Sequence, residues 1–354
     1  MFMVVLSYLQ SKTLAQNITA QVAFEVRSDI CLINIDGTDL ECLMQTQNAL
    51  DYNAIWSPDG SMLAYQSLLE PRREDFSTYI YDFQRKTTFQ VPWEGYIHAW
   101  SPDGTLLLTS WFDDERDTEI YIIRPDGGEL QALTDNQVID SAPAWSPDGN
   151  QIAYLTGLPE GTLMIMDADG ENPRSLTTEL NINREVRPVW SPDSTQIAFV
   201  VNGDFIGRDQ TSEIYVVNAD GTDLRQLTDT GGVNLDPRWS PDGSQLVFWG
   251  YALGAFDDVN DMENLLTEVF RINADGSGLV NLTQSIGLDY HPAWSPDGMW
   301  IAFASTRIWE SDDFRPGLFI MRPDGTDVQM LTNELPFAEG GDSVSSPVWR
   351  PLAR

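Results

Sequence analysis

Short apolar runs recur along the chain, each bounded by a cluster of Ser, Pro, Asp and Gly. Residues 140–177 hold one full set. Ala142-Pro143-Ala144-Trp145 reads as an extended run and Ser146-Pro147-Asp148-Gly149 as a turn. Proline presets φ in such a turn, Ser and Asp side chains bond nearby amides, and glycine accepts positive φ. Gln151 to Leu155 and Leu163 to Met166 read as strands, Asp169-Gly170 turns the chain again, and Ser175-Leu176-Thr177 ends a fourth strand. The unit is an antiparallel meander.

The same order returns along the whole chain. Second strands read Met62-Leu63-Ala64-Tyr65, Gln196-Ile197-Ala198-Phe199, Gln245-Leu246-Val247-Phe248 and Trp300-Ile301-Ala302-Phe303. Third strands read Ile120-Tyr121-Ile122-Ile123, Ile214-Tyr215-Val216-Val217, Val269-Phe270-Arg271-Ile272 and Leu318-Phe319-Ile320-Met321. Most are apolar on both faces, so each sheet needs cover on both sides. A ring of sheets packed face to face supplies it, and the expected fold is all-β, a single β-propeller.

Trp56, Trp100, Trp145, Trp190, Trp239, Trp294 and Trp349 mark the repeat, at steps of 44, 45, 45, 49, 55 and 55 residues. A near-fixed period in this range is one structural unit repeated. Trp-Ser-Pro-Asp-Gly follows five of the seven positions; Ser194 replaces the glycine after Trp190, and Trp349-Arg350-Pro351 is a worn copy. Six complete units start at Trp56 to Trp294. Gln21 to Glu25, Ile30 to Ile35 and Leu40 to Leu43 match strands two, three and four of an orphan unit, and Pro347-Val348-Trp349 matches its first strand. The expectation is seven four-stranded blades over 20–354, closed by one C-terminal strand joining three N-terminal strands; six or eight blades are the alternatives. Because the Ser and Asp of the motif recur in every blade, they are expected to be scaffold, with each tryptophan packing between blades.

Pro-x-Trp-Ser-Pro-Asp-Gly is followed by Ile-Ala-Phe and then by Ile-Tyr-Val-x-Asn-Ala-Asp-Gly…Leu-Thr, best preserved from Ile214 to Thr228. In this combination the units resemble the PD40, or WD40-like, repeats of the TolB family over residues 20–354. The resemblance implies a bacterial, periplasmic or secreted propeller that binds other molecules. The TolB protein itself has six blades and an extra N-terminal α/β domain. This chain is expected to lack room for that domain, so transfer of TolB's role in the Tol–Pal envelope system is weak. Related propellers precede a serine peptidase domain in the prolyl-oligopeptidase group.

The 354 residues carry a net charge of −34. That argues against nucleic acid and anionic membrane surfaces as partners, and allows cationic ligands, metal ions or basic proteins. Phe2 to Leu9 is apolar but too short to span a bilayer. With Thr13-Leu14-Ala15 behind it, segment 1–19 reads as a truncated secretory signal. No other segment looks transmembrane. Cys31 and Cys42 flank Asp36-Gly37, a favoured hairpin turn. A two-residue loop would set the cysteines directly opposite each other, within disulfide range. A slip of one residue would leave two buried free thiols instead.

Two sets of candidate binding residues follow. Five residues before each tryptophan, at the entry to the innermost strand, stand Asp51, Gly95, Asp140, Glu185, Asn234, Asp289 and Val344. They are expected to ring the mouth of the central channel, where converging carboxylates hold Ca²⁺ or a basic side chain; strand-entry turn chemistry is the competing explanation. His98 and His291 fall near the same end as channel-lining polar residues. The second set lies on the variable loops between strands two and three, which carry acids and aromatics: Trp111, Phe112, Phe256, Asp257, Asp258, Trp309, Asp312, Asp313 and Phe314. No Gly-x-Ser-x-Gly elbow and no phosphate loop occurs. The function expected is a monomeric, non-enzymatic scaffold that needs no cofactor and binds a protein, peptide or glycan. The alternative is a carbohydrate hydrolase or lyase using channel carboxylates.

Overall fold

The computed structural model describes residues 20–26, 29–43, 49–69, 76–112, 117–157, 161–206, 209–251, 266–307, 316–332 and 344–352. Among them every regular element is a β-strand, and no helix occurs. Ala49–Trp56, Met62–Leu69, Phe76–Asp82 and Thr87–Gln90 form the first complete meander, in chain order. Four-stranded meanders also begin at Tyr96–Trp100, Asp140–Trp145 and Asp289–Trp294. Between them, the meanders opened by Val189–Trp190 and Val233–Trp239 are joined by one parallel pair, Ser212 with Val233. In the remaining sheet Val344–Trp349 takes the innermost place, followed by Gln21–Val26, Asp29–Asn34 and Glu41–Cys42. Val22 there faces Trp349, and Val26 faces Val344.

The middle strands are buried on both faces, as their unbroken apolar runs require: every residue of Ile301–Ser305 and Gly317–Met321 is buried. The core is therefore divided into clusters between sheets. Leu63 and Tyr65 pack with Ala23 and Leu32, Ala64 and Ile80 with Leu107 and Ile123, and Leu108 and Ile120 with Ile152 and Met166. The series continues with Leu155 against Ile197, Val216 against Leu246, and Val269 against Phe303. Its last member sets Ala302, Leu318 and Ile320 against Val22, Phe24 and Ile33 of the sheet that contains both chain ends.

The repeated motif is scaffold. Ser57 Oγ donates to Asp59 Oδ1 at 2.7 Å and accepts from the Met62 amide at 2.9 Å, while the Ser61 amide donates to the same Asp59 oxygen. The set recurs after Trp239, where Ser240, Asp242 and Gln245 take the same parts. Accepting these bonds holds the carboxyls of Asp59, Asp103, Asp148, Asp193 and Asp242 below the usual range. Ser194 adopts the left-handed φ of 62° that glycine takes in the sister turns, such as 67° at Gly60.

The tryptophans bridge neighbouring sheets by hydrogen bonds as well as packing. Trp100 Nε1 donates to the Ile55 carbonyl, Trp190 to Ala144, Trp239 to Val189, and Trp349 to Ala293. Each acceptor is the residue just before the preceding tryptophan of the repeat. Trp56 donates to Val348 in the same way, across the two ends of the chain. Trp145 and Trp294 lack the bond, and their indole nitrogens are buried without an acceptor. Near the N-terminus Cys31 lies directly opposite Cys42 and is bonded to it. The expected opposition of the cysteines holds, but the turn spans Asn34–Gly37, closed by the Gly37 amide on the Asn34 carbonyl with a φ of 78° at Gly37, and is not a two-residue Asp36-Gly37 loop.

Candidate functional site

Each innermost strand runs towards its tryptophan through a break in pairing. The ladder skips between Tyr52 and Ile55, Ser141 and Ala144, Leu235 and Arg238, and Tyr290 and Ala293. Inside these breaks Asn53, Ala142, Asp236 and His291 take positive φ, and Ser346 does so in the C-terminal strand. Such a bulge bends the strand and re-aims one side chain. Positive φ is costly for a residue with a Cβ and persists only where surrounding structure enforces it. The re-aimed position is three residues before the tryptophan, not five. Its occupants are Asn53, Ile97, Ala142, Arg187, Asp236, His291 and Ser346.

These residues meet across the molecule. Arg187, just before Val189–Trp190, donates a hydrogen bond from its guanidinium to the His98 carbonyl, two sheets away. Asp236 Oδ1 receives Arg238 at 2.7 Å, and its Oδ2 lies 3.2 Å from Nδ1 of His291 on the next sheet. Asn53 donates to the Ile97 carbonyl at 2.7 Å, again on the next sheet, and its amide donates to Glu25. Glu25 also accepts from Ser345 Oγ at 2.9 Å. Rings of Tyr96, Tyr290 and Trp249 flank the histidines: Tyr96 is 5.0 Å from His98, and Tyr290 and Trp249 are 5.3 and 6.2 Å from His291.

The electrostatics of this cluster are those of charges enclosed by protein yet reachable from the channel. Burial alone would raise the Asp236 carboxyl; Arg238, then the His291 contact and Arg187, outweigh it and hold the group below its ordinary value. Burial, then repulsion from Arg238, pulls Arg187 down to about 10, against partial support from Tyr96 and Asp236. Burial and the Arg187 charge push His98 well below the ordinary histidine value, so its ring is neutral at pH 7. His98 Nε2 lies 2.8 Å from Ser110 Oγ.

The residues five before each tryptophan are placed differently from the expected ring. Asp51, Asp140, Asn234 and Asp289 are buried, at most 3% exposed. Asp140 accepts from Asn136 at 2.7 Å, Asp289 from Ser285 at 2.8 Å, and Asn234 donates to Thr230 at 2.7 Å. Each partner lies four residues earlier, so these side chains fasten the connector between sheets to the innermost strand. Asp289 is further held by Ser305 and by Arg307 at 2.9 Å. Burial raises the Asp140 carboxyl against the bonds it accepts. Glu185 is exposed and lines a cleft of about 390 Å³ with Asn181, Arg184 and Tyr251. Gly95 has no side chain to contribute. Among the described residues no three of His, Cys, Asp and Glu gather as a metal cluster.

Of the loop residues, Trp111 packs on Trp93 with ring centres 5.9 Å apart, whereas Phe112 is 57% exposed. Phe256, Asp257, Asp258, Trp309, Asp312, Asp313 and Phe314 lie outside the described residues. Sequence reasoning placed both histidines at the channel but missed Arg187, Asp236 and Arg238. The available signal was the run of polar and charged residues three before the tryptophans.

Meanders whose innermost strands meet around a polar channel define a β-propeller. Its repeats are similar to TolB-like PD40 repeats: residues 14–157 match the family model described as the TolB beta propeller domain. The chain is 30% identical over 201 residues to the uncharacterized peptidase YuxL of Bacillus subtilis, covering 54% of this chain but only 28% of that protein. It is 27% identical to the uncharacterized protein Atu1656 of Agrobacterium fabrum, covering 83% of this chain and 98% of that protein. Among solved structures, the putative TolB from Agrobacterium tumefaciens has 25% identity and a TM-score of 0.52, covering 79% of this chain and 96% of that one. An oligogalacturonate lyase in complex with manganese shares the fold at 16% identity, with a TM-score of 0.61 over 91% of this chain and 88% of that one.

Proposed function

We propose that this protein is a seven-bladed, non-enzymatic binding scaffold that takes a protein, peptide or glycan at its channel and long-loop face, outside the cytoplasm. The observation that carries the reading is the channel cluster, in which Arg187, the pair Asp236 and Arg238, and His291 come from three successive sheets, with Asp236 and His291 held in strained bulges. A rigid ring presenting preset charges loses little entropy when a ligand binds. Seven blades closed end to end are supported by the pairing of Val344–Trp349 with Gln21–Val26 and by the Trp56 bond to Val348. An extracytoplasmic place is supported by the Cys31–Cys42 disulfide and the likeness to TolB. The reading requires no cofactor.

Photoreactive groups placed at Phe112, at Arg238 and at Asp103 on the short-turn face test it in native cell envelopes. Adducts of one partner are expected from the first two positions and not from the third. Equal labelling from all three overturns it. The second reading, a carbohydrate lyase, is favoured by the Asp236–His291 pair together with the lyase neighbour. It predicts release of unsaturated product from oligogalacturonate that is lost in His291→Gln.

A further inference from the structure

The chain carries 54 acidic and 20 basic residues, yet one basic group at its centre has no acid to itself. Among the described residues Arg187 makes no ion pair, and its guanidinium donates only to the neutral carbonyl of His98. The acids nearby are already engaged. Asp236 gives one oxygen to Arg238 and the other to His291. Glu25 gives one to the Asn53 amide and the other to Ser345. Arg187 is partly buried, and a cation held there beside a second arginine is stabilised when an anion joins it. Burial, then repulsion from Arg238, lowers the proton affinity of Arg187.

From this geometry we propose that the channel binds a carboxylate, received by the free edge of the Arg187 guanidinium. The inference rests on the channel being where the propeller takes its ligand. The guanidinium fork matches a carboxylate with two parallel hydrogen bonds, which an ammonium group cannot reproduce. Charge decides between anions. Arg238 is paired with Asp236, and Glu25 is engaged by Asn53 and Ser345, so Arg187 is the cation left to pair. One negative charge pairs it; a phosphate dianion would bring a second into a site already holding two carboxylates. Tyr96 and His98 form the adjoining wall, and burial keeps the Tyr96 hydroxyl protonated to high pH, as a hydrogen-bond donor. This assigns the channel a ligand of sign opposite to the basic partner that the net charge suggests.

The protein contains two histidines, and both adjoin the site, so their ring signals in NMR are clean reporters. The probes are acetate and D-glucuronate, with the glucuronate methyl ester and inorganic phosphate as comparisons. Both carboxylates are expected to shift the two histidine signals saturably, the ester not at all, and phosphate more weakly. Arg187→Gln is expected to weaken acetate and glucuronate by about tenfold or more. Arg187→Lys, which keeps the charge and loses the fork, is expected to fall between the two and serves alone if the first variant does not fold. No saturable shift with either carboxylate, tighter binding of phosphate, or unchanged affinity in Arg187→Lys overturns the proposal. A protein whose histidines ignore carboxylates but which still crosslinks a partner through Arg238 loses the carboxylate site and keeps the scaffold. The reverse pair of results does the opposite.

Discussion

His98 and Asp289 show how one position in the repeat acquires a particular cost. Most blades have proline two residues before the tryptophan; His98 stands there instead, buried and neutral. Its proton affinity is lower folded than unfolded. Below the unfolded value near 6.5 the unfolded chain therefore binds a proton that the folded one refuses, and stability falls as pH drops. Between about pH 7.5 and about pH 5.5 this contributes about 1.4 kcal/mol, one titrating group over that interval. Urea unfolding at the two pH values is expected to show a correspondingly smaller loss in His98→Gln. Glu119, Glu268 and Asp140, whose carboxyls burial raises, act in the opposite direction at lower pH and are common to both proteins. Asp289 was a candidate ligand on sequence grounds, but it is fully buried against Arg307, which also lies about 5 Å from the rings of Phe303 and Phe319. Asp289→Ala leaves that arginine without its partner and is expected to cost about 3–5 kcal/mol in thermal or urea unfolding. A loss under about 1 kcal/mol would restore Asp289 to the list of ligand residues.

At the scale of the element, the hairpin that carries Cys31 and Cys42 opposes the two cysteines, one of the two pairings the sequence left open, through a turn over Asn34–Gly37. The bonded pair closes a loop with a sequence separation of 11 residues. Loop entropy of that size corresponds to about 3 kcal/mol. Replacing both cysteines by serine is expected to lower stability by about 2–3 kcal/mol, and treatment with reductant to do the same to the wild-type protein but not to the variant. The bulged inner strands were not legible in the same way. A strand with one extra residue keeps its apolar pattern on either side of the break, so Ala-x-Trp reads as regular. Counting back five residues from each tryptophan then found the strand entry. The side chain turned to the channel is two residues further on.

For the whole molecule the decisive contact is the one between chain ends. Val344–Trp349 supplies the innermost partner of Gln21–Val26, Trp349 bonds to Ala293, and Arg350 reaches Gln21 and the Gly60 carbonyl. Removing 344–352 exposes the edge of Gln21–Val26 and opens the cluster around Val22 and Ile320. The truncated protein is expected to unfold at a lower temperature or fail to fold. Unchanged calorimetric unfolding would refute closure of the ring at this sheet. The repeat itself was legible because every blade solves the same problem with the same residues: turn, apolar strand, apolar strand, turn.

The sequence by itself determined the propeller repeat and the structural role of Ser-Pro-Asp-Gly. Each follows from local turn chemistry or from a periodic apolar pattern, repeated until chance is no explanation. Only the tertiary structure decided which polar residues share the channel. Arg187, Asp236, Arg238 and His291 are brought together by the bending of separate strands into one ring, and no spacing in the chain records which way a bulged residue points. The conspicuous acids Asp140 and Asp289 at the strand entries went to fastening the connectors, and among the described residues the channel arginine Arg187 makes no ion pair.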